Sequence, residues 1–442
     1  MALFRPRLAV LHSRAAVRCR LLAPASLVLL GCRDQAPAWR GHVQDSAGVA
    51  VVENPSEPVL EEAPAIREVL RIGTADGDPV TQFGLIASVA VSASGSVYVL
   101  DQQNRRVRVF DPMGEFVREV GRSGAGPGEL SDFAVAAMLA DGDTIIVADP
   151  GNRRFTVFGP EGRFVDDFPM PFPHGTLPQR FALLPDGAIL EMARTEATPD
   201  RPELRDDVFV RVERSGSILD TIHRMPTSRS IRYEGDLMRF TAYVPEPHWA
   251  MDRDGRFYSA MSGSYRIEVR DSRGKLLSII TREHDPAPIT DEDRRAFLDM
   301  LRRTLAERRT DPMLIEQMVE GMVFADHYPV FASFQPGPDG TLWVQRIRTA
   351  VDAAREGIDF EATDVGDNEF DVFDREGRFM AVARLPERFV PLTYLGDRLY
   401  GMWRDELDVQ HIMAVEVVWA PVEFPGGVPR SGFAHERPPR RR

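Results

Sequence analysis

A glycine turn recurs through this chain in two interleaved series of six. The first runs Ser94-Gly95-Ser96, Asp141-Gly142-Asp143, Asp186-Gly187, Asp254-Gly255, Asp339-Gly340 and Gly396-Asp397. The second runs Asp111-Pro112-Met113-Gly114, Gly159-Pro160-Glu161-Gly162, Arg214-Ser215-Gly216, Ser272-Arg273-Gly274, Arg375-Glu376-Gly377 and, near the N-terminus, Asp45-Ser46-Ala47-Gly48. Short apolar runs of strand length flank nearly every turn. Tight hairpins need residues that tolerate positive φ, which is why Gly and Asp-Gly mark them. Two turn series of six predict six four-stranded antiparallel blades, an all-β six-bladed propeller.

The clearest repeat pair has a constant offset. Val97-Tyr98-Val99-Leu100-Asp101 matches Ile145-Ile146-Val147-Ala148-Asp149, Asn104-Arg105-Arg106 matches Asn152-Arg153-Arg154, and Gly114-Glu115-Phe116-Val117 matches Gly162-Arg163-Phe164-Val165. These residues resemble the NHL-type propeller repeat, and the glycine-rich stretch 120–130 resembles that repeat's interblade loop. The resemblance implies a bacterial six-bladed NHL-like propeller lipoprotein. It covers two blades well and fades over the rest. It implies fold more than function, because propellers host many activities.

The blades are expected at about 86–122, 133–169, 180–223, 248–282 and 329–385, with a sixth from about 391 that supplies only three strands. The missing outer strand must come from the N-terminal side, which closes the ring and protects the sheet edges. The turn at Asp45 to Gly48 assigns that place to Val49-Ala50-Val51-Val52. Leu70-Arg71-Ile72-Gly73 competes for the same slot, and either segment closes the ring.

Residues 1–31 read as a targeting signal. Arg5, Arg7, Arg14, Arg18 and Arg20 form a positive region and residues 21–30 a short apolar one, too short to span a bilayer. Leu29-Leu30-Gly31-Cys32 resembles a lipobox, which makes Cys32 the lipidated residue. Residues 32–41 would then be a linker, 42–420 the propeller and 421–442 a disordered basic tail. The expected partner is therefore the membrane, through the lipid anchor. Arg33, not Asp, follows Cys32, which leans toward the periplasmic side of the outer membrane of a Gram-negative cell envelope.

Two cysteines are present, and Cys19 leaves with the signal, so the exported domain has no disulfide to rely on. The formal net charge is −13, and loss of five arginines takes the mature chain to about −18. Such acidity argues against nucleic-acid binding.

The short glycine turns all fall on one face of such a propeller. The long insertions, about 191–207, 224–246, 283–328 and 346–368, all fall on the other. Rigid scaffolds carry function on long loops. The largest insertion predicts a helical hairpin over 290–322. Thr290 to Asp293 forms a capping box, and Phe297, Leu298, Leu301 and Leu305 make one stripe. Pro312 opens a second helix, with Leu314, Ile315, Met318 and Met322 as its stripe. These stripes are expected to pack the hairpin onto the ring.

Motifs of chemistry are sparse. The repeated Asp101, Asn104 and Arg105, with Asp149, Asn152 and Arg153, read as turn-building groups. The Asp252-Arg253-Asp254-Gly255 run lacks the other ligands of a calcium loop. Neither a nucleophile elbow nor an HExxH motif occurs, so no catalytic residue, metal ligand or cofactor is assigned. The candidate ligand-binding face comprises Arg194, His248, His327, Tyr328, Arg346, Trp403 and Arg404, since converging arginines and aromatics suit a carboxylate, a phosphate or a sugar. The expected role is a binding or scaffold module for a peptide, glycan or protein partner. A metal-dependent lyase or lactonase-like enzyme and a structural subunit of an envelope complex are the alternatives.

Overall fold

The computed structural model describes residues 38–131, 137–171, 181–195, 206–227, 231–234, 237–358 and 366–419. The signal segment, Cys32 and the C-terminal tail lie outside these residues. Six four-stranded units follow one another along the chain. Blade one holds Ile86–Val91, Val97–Asp101, Arg106–Phe110 and Phe116–Val120, paired in that order. Blade two spans Ala137–Asp141 to Phe164–Pro169, and blade three Ala182–Leu183 to Ile218–Pro226. Blade four spans Pro247–Met251 to Leu276–Arg282, and blade five Ser333–Pro336 to Phe379–Arg384. Blade six takes Phe389–Leu395, Arg398–Arg404 and Gln410–Val418 from the C-terminal side.

Every turn of both series holds a glycine at positive φ. In blade one, Asp111 Oδ1 accepts from the Met113 and Glu115 amides, each at 2.9 Å, and Gly114 sits at φ 88°. A β-carbon on Gly114 would also stand 2.9 Å from Leu70 Cδ1. The same Asp-to-amide pattern recurs at Asp271 and Asp374.

The core is divided among the blades rather than pooled. Each of six apolar clusters fills the gap between two consecutive blades; Leu100, Val107, Leu130, Ile145 and Phe158, for example, join blades one and two. Tyr400, Ile412 and Ala414 of blade six pack with Val89, Val97 and Phe110 of blade one and so close the circle. This interlocking burial supplies the main driving force.

The outer strand of blade six is Ala65–Ile72, antiparallel to Gln410–Val418 with Ile72 opposite Ile412. Val49 to Val52 does not take that slot, contrary to the turn-based assignment. Val49–Asn54 pairs in parallel with Leu276–Arg282, and His42–Ser46 folds back on it, so this hairpin extends blade four to six strands. The reason is chain connectivity. A closing strand needs no turn of its own, whereas the Asp45–Gly48 turn links two N-terminal strands to each other.

The N-terminal stretch therefore laps three blades. Between its strands, the Val59 and Leu60 amides bond to the Phe379 and Met380 carbonyls of blade five at 3.0 and 2.8 Å. Buried Asn54 fastens this strap. Its Nδ2 donates to the Thr281 and Gly377 carbonyls at 3.0 and 2.9 Å, while its Oδ1 accepts from the Phe379 amide at 2.7 Å and from Trp39 Nε1 at 2.9 Å.

Candidate functional site

The long insertions assemble with one another. Helix α1 (Asp291–Glu307) opens with the expected capping box: the Thr290 amide donates to Asp293 Oδ2 at 2.9 Å and the Asp293 amide to Thr290 Oγ1 at 3.2 Å. Helix α2 (Pro312–Glu320) opens with Pro312 behind an Asp311 cap. Its buried positions are Ile315 and Val319, whereas Leu314 is exposed; Leu314 does not belong to the packed stripe, because the buried ridge runs one residue further on.

Past α2, Met322–Phe324 pairs in parallel with Leu237–Ala242, which itself pairs with Ile231–Glu234. Helix α3 (Ala350–Arg355), from the insertion inside blade five, packs on α1. Phe297, Met300, Leu301, Ile315, Val319 and Ala350 form their shared core. Three insertions thus build one accessory unit.

Tyr328 ties this unit to the ring. Its hydroxyl accepts from the Ala350 amide at 2.9 Å and bonds to the Asp293 carboxylate, and its ring lies 4.6 Å from that of Tyr243. Burial, more than the Ala350 contact, governs this hydroxyl and pushes its pKa well up.

Beside Tyr328 lies a cavity of about 250 Å³, lined by Arg282, His284, Asp285, Ala287, Tyr328, Pro329, Val330, Arg346, Ile347, Thr349 and Asp371. Its floor is a charge network across blades four and five. Buried Asp371 accepts from Arg346 Nε at 2.8 Å, Arg282 Nη1 at 3.1 Å and the Tyr265 hydroxyl at 2.7 Å. Arg346 Nη1 also donates to Glu369 at 3.1 Å, and Arg384 pairs with the same carboxylate. Arg282 Nη2 reaches the Ser56 carbonyl of the strap at 2.9 Å, with its guanidinium 4.6 Å over the Phe379 ring. Burial and then Asp371 hold the Tyr265 hydroxyl protonated, far above its ordinary range. Burial, followed by the Arg282 charge, lowers the His284 pKa.

Of the seven residues proposed from sequence, only Arg346 and Tyr328 line this cavity. His248 does not line it; its ring packs against those of Phe331 and Phe334 at 5.6 and 6.2 Å. His327 is exposed, and its backbone bridges to Pro288. The other three lie elsewhere in local pairs. Arg194 grips Asp207 at 2.8 and 3.3 Å, and Arg404 holds Asp408 at 2.9 Å. The Trp403 ring lies under the Arg71 guanidinium, 4.1 Å away, and its Nε1 donates to the Glu387 carbonyl. Arg282, His284, Asp285 and Asp371 were missed. The acid at Asp371, set among Phe370, Val372 and Phe373 in the buried half of strand Gly366–Phe373, was the available signal, since a buried charge demands a partner.

The turn-building readings hold. Asp101 accepts from the Gly84 and Asn104 amides at 3.1 and 3.2 Å, and Asp149 from the Ser131 and Asn152 amides at 3.0 and 3.2 Å. Asp252 accepts from the Asp254 and Arg256 amides at 2.9 and 2.8 Å, so it shapes its hairpin. A hollow of about 340 Å³ on the glycine-turn face of blade three is lined by turn residues, and its Asp186 is already paired with Arg211. Among the described residues, no group of three His, Cys, Asp or Glu side chains could hold a metal ion, and no helix is long and apolar enough to cross a membrane.

Residues 66–176 match the model of the family DUF5128, described as a 6-bladed beta-propeller. No curated protein matches the chain. Among solved structures, it is similar to a Bacteroides fragilis protein described as exported, at 11% identity and TM-score 0.47, over 84% of this chain and 100% of that one. It is also similar to a Bacteroides vulgatus member of the duf4221 family, at 10% identity and TM-score 0.46, over 80% and 99% of the two chains. A Staphylococcus aureus virginiamycin B lyase follows at 12% identity and TM-score 0.40, over 80% and 100%. At such identities the likeness concerns architecture alone. The chain is a six-bladed β-propeller.

Proposed function

We propose that this propeller is a membrane-anchored, extracytoplasmic binding module that recognises its ligand through the long-loop face. The observation that carries this reading is the placement of the cavity. Three insertions combine into one packed unit, and the arginine-lined cavity opens where that unit meets blades four and five. The tight glycine turns lie on the opposite face among the described residues. A rigid ring that concentrates its irregular chain on one side presents that side to a partner. The Cys32 lipobox and the charged signal before it support attachment to the cell envelope, and the acidic charge disfavours nucleic acid.

The test uses the lipid-free protein starting at Arg33 on glycan and peptide arrays, beside the Arg346→Gln variant. A ligand class retained by the native protein and lost by the variant is expected. Binding that survives Arg346→Gln but disappears when the glycine-turn face is altered would reverse the assignment of faces. Turnover of a bound compound would replace a binding module with an enzyme.

A further inference from the structure

The spare hydrogen-bonding groups of the cavity are mostly donors. Arg346 spends Nε on Asp371 and Nη1 on Glu369, and its Nη2 has no partner among the described residues. Its side chain is 33% exposed and lines the cavity. His284 Nδ1 lies 3.5 Å from Arg282 Nη1. A guanidinium only donates, so Nδ1 accepts and the neutral ring keeps its proton on Nε2. Two unspent donors beside two guanidinium groups call for an anionic acceptor.

The charge of that acceptor is bounded from the other side. Asp371 already neutralises part of the arginine charge from a position 1% exposed, and Asp285 lines the same cavity as an exposed carboxylate without a partner among the described residues. Two arginines and two carboxylates leave the charged lining balanced, which gives a phosphate dianion no surplus of positive charge, whereas a single carboxylate needs only the two local donors. Asp285 in turn can accept from a hydroxyl on the same ligand. The remaining wall, formed by Ala287, Pro329, Val330 and Ile347, is apolar. A volume of about 250 Å³ falls below that of drug-sized sites and suits one sugar-acid-sized group.

We propose that the cavity between blades four and five binds a small hydroxylated monocarboxylate, with Arg346 Nη2 and His284 Nε2 on the carboxylate and Asp285 on a hydroxyl. This rests on the reading of the long-loop face as the binding face. The test is titration of the soluble protein with D-glucuronate, D-glucose and inorganic phosphate, followed by calorimetry and by the His284 imidazole resonances. Saturable glucuronate binding that shifts His284, with glucose and phosphate at least tenfold weaker, is the expected result. Arg346→Gln should weaken glucuronate at least tenfold. Because Arg346 also supports Asp371, His284→Ala serves as the second variant; His284 is exposed and its loss should leave folding intact. Equal binding of glucose and glucuronate, or glucuronate binding indifferent to both variants, would overturn the proposal. So would a folded protein that ignores glucuronate; an array ligand still lost on Arg346→Gln would then leave the binding face standing with another ligand class.

Discussion

The Asn54 side-chain oxygen accepts a 2.7 Å hydrogen bond from the Phe379 amide, across 325 positions of sequence. Asn54→Leu would strand that amide and the carbonyls of Thr281 and Gly377, at about 1–3 kcal/mol for each buried group left unmade. Part of this is recovered by water at the rim, so a loss of about 2–4 kcal/mol is expected. The urea midpoint should fall with an unchanged slope, which separates lost stability from altered compactness.

Asp371 stands between two guanidinium groups and is 1% exposed. Asp371→Ala leaves Arg282, itself 8% exposed, without its counter-ion. Breaking a buried pair in this way costs about 3–5 kcal/mol. The thermal midpoint should drop by several degrees, and replacing both Asp371 and Arg282 by apolar residues should recover much of the loss.

His223 packs against Phe209 and Phe257, and burial, reinforced by the Arg270 charge, takes its pKa down to about 4. A depressed histidine binds its proton in the unfolded chain first. Its contribution is therefore fully present above the unfolded value of about 6.5 and is lost as pH falls from there toward 4. Allowing for solvent screening, about 1–2 kcal/mol should disappear across that window. Denaturation measured between pH 7 and 4 should show a flatter acid limb for His223→Phe than for the native protein.

Tyr328→Phe removes the hydroxyl that joins the Ala350 amide to Asp293. The expected global loss is about 1–2 kcal/mol. Hydrogen exchange should accelerate over α1 and α3 more than over the blades, because the contact ties the accessory unit to the ring. Uniform acceleration everywhere would contradict that role.

Cys32→Ala should release the protein from the membrane fraction, and the native protein should carry lipid on its first mature residue. Fractionation with mass analysis of the N-terminal peptide decides the matter. A native protein found free of lipid would remove the anchor from the proposed function.

The architecture was readable because its signals are local. A hairpin turn must place glycine at positive φ within four residues, and both series do so at every member, from Gly48 to Gly396. The capping box at Thr290 and Asp293 was equally visible, being four residues long. Ring closure was harder, because two N-terminal segments had the right composition and only pairing with Gln410–Val418 distinguishes them. The cavity was hardest. Arg282 and Asp371 lie 89 positions apart and meet only because blades four and five are packed together. Arg194 and Arg404 looked equivalent to Arg346, and all three are held by acids of their own blades; what separates Arg346 is that it lines the cavity, where the accessory unit meets its blade.

The strap from His42 to Ile72 also sets where a pull on the N-terminus would enter the molecule. Tension from residues before Trp39 would arrive at the rim of blade four, at the His42–Ser46 and Val49–Asn54 pairings and the Asn54 clasp. Those contacts stand in series ahead of Ala65–Ile72, the strand that closes the ring. The sacrificial joint therefore sits at the outer edge of blade four, and a tethered domain would yield there under load before the strand that closes its ring is pulled.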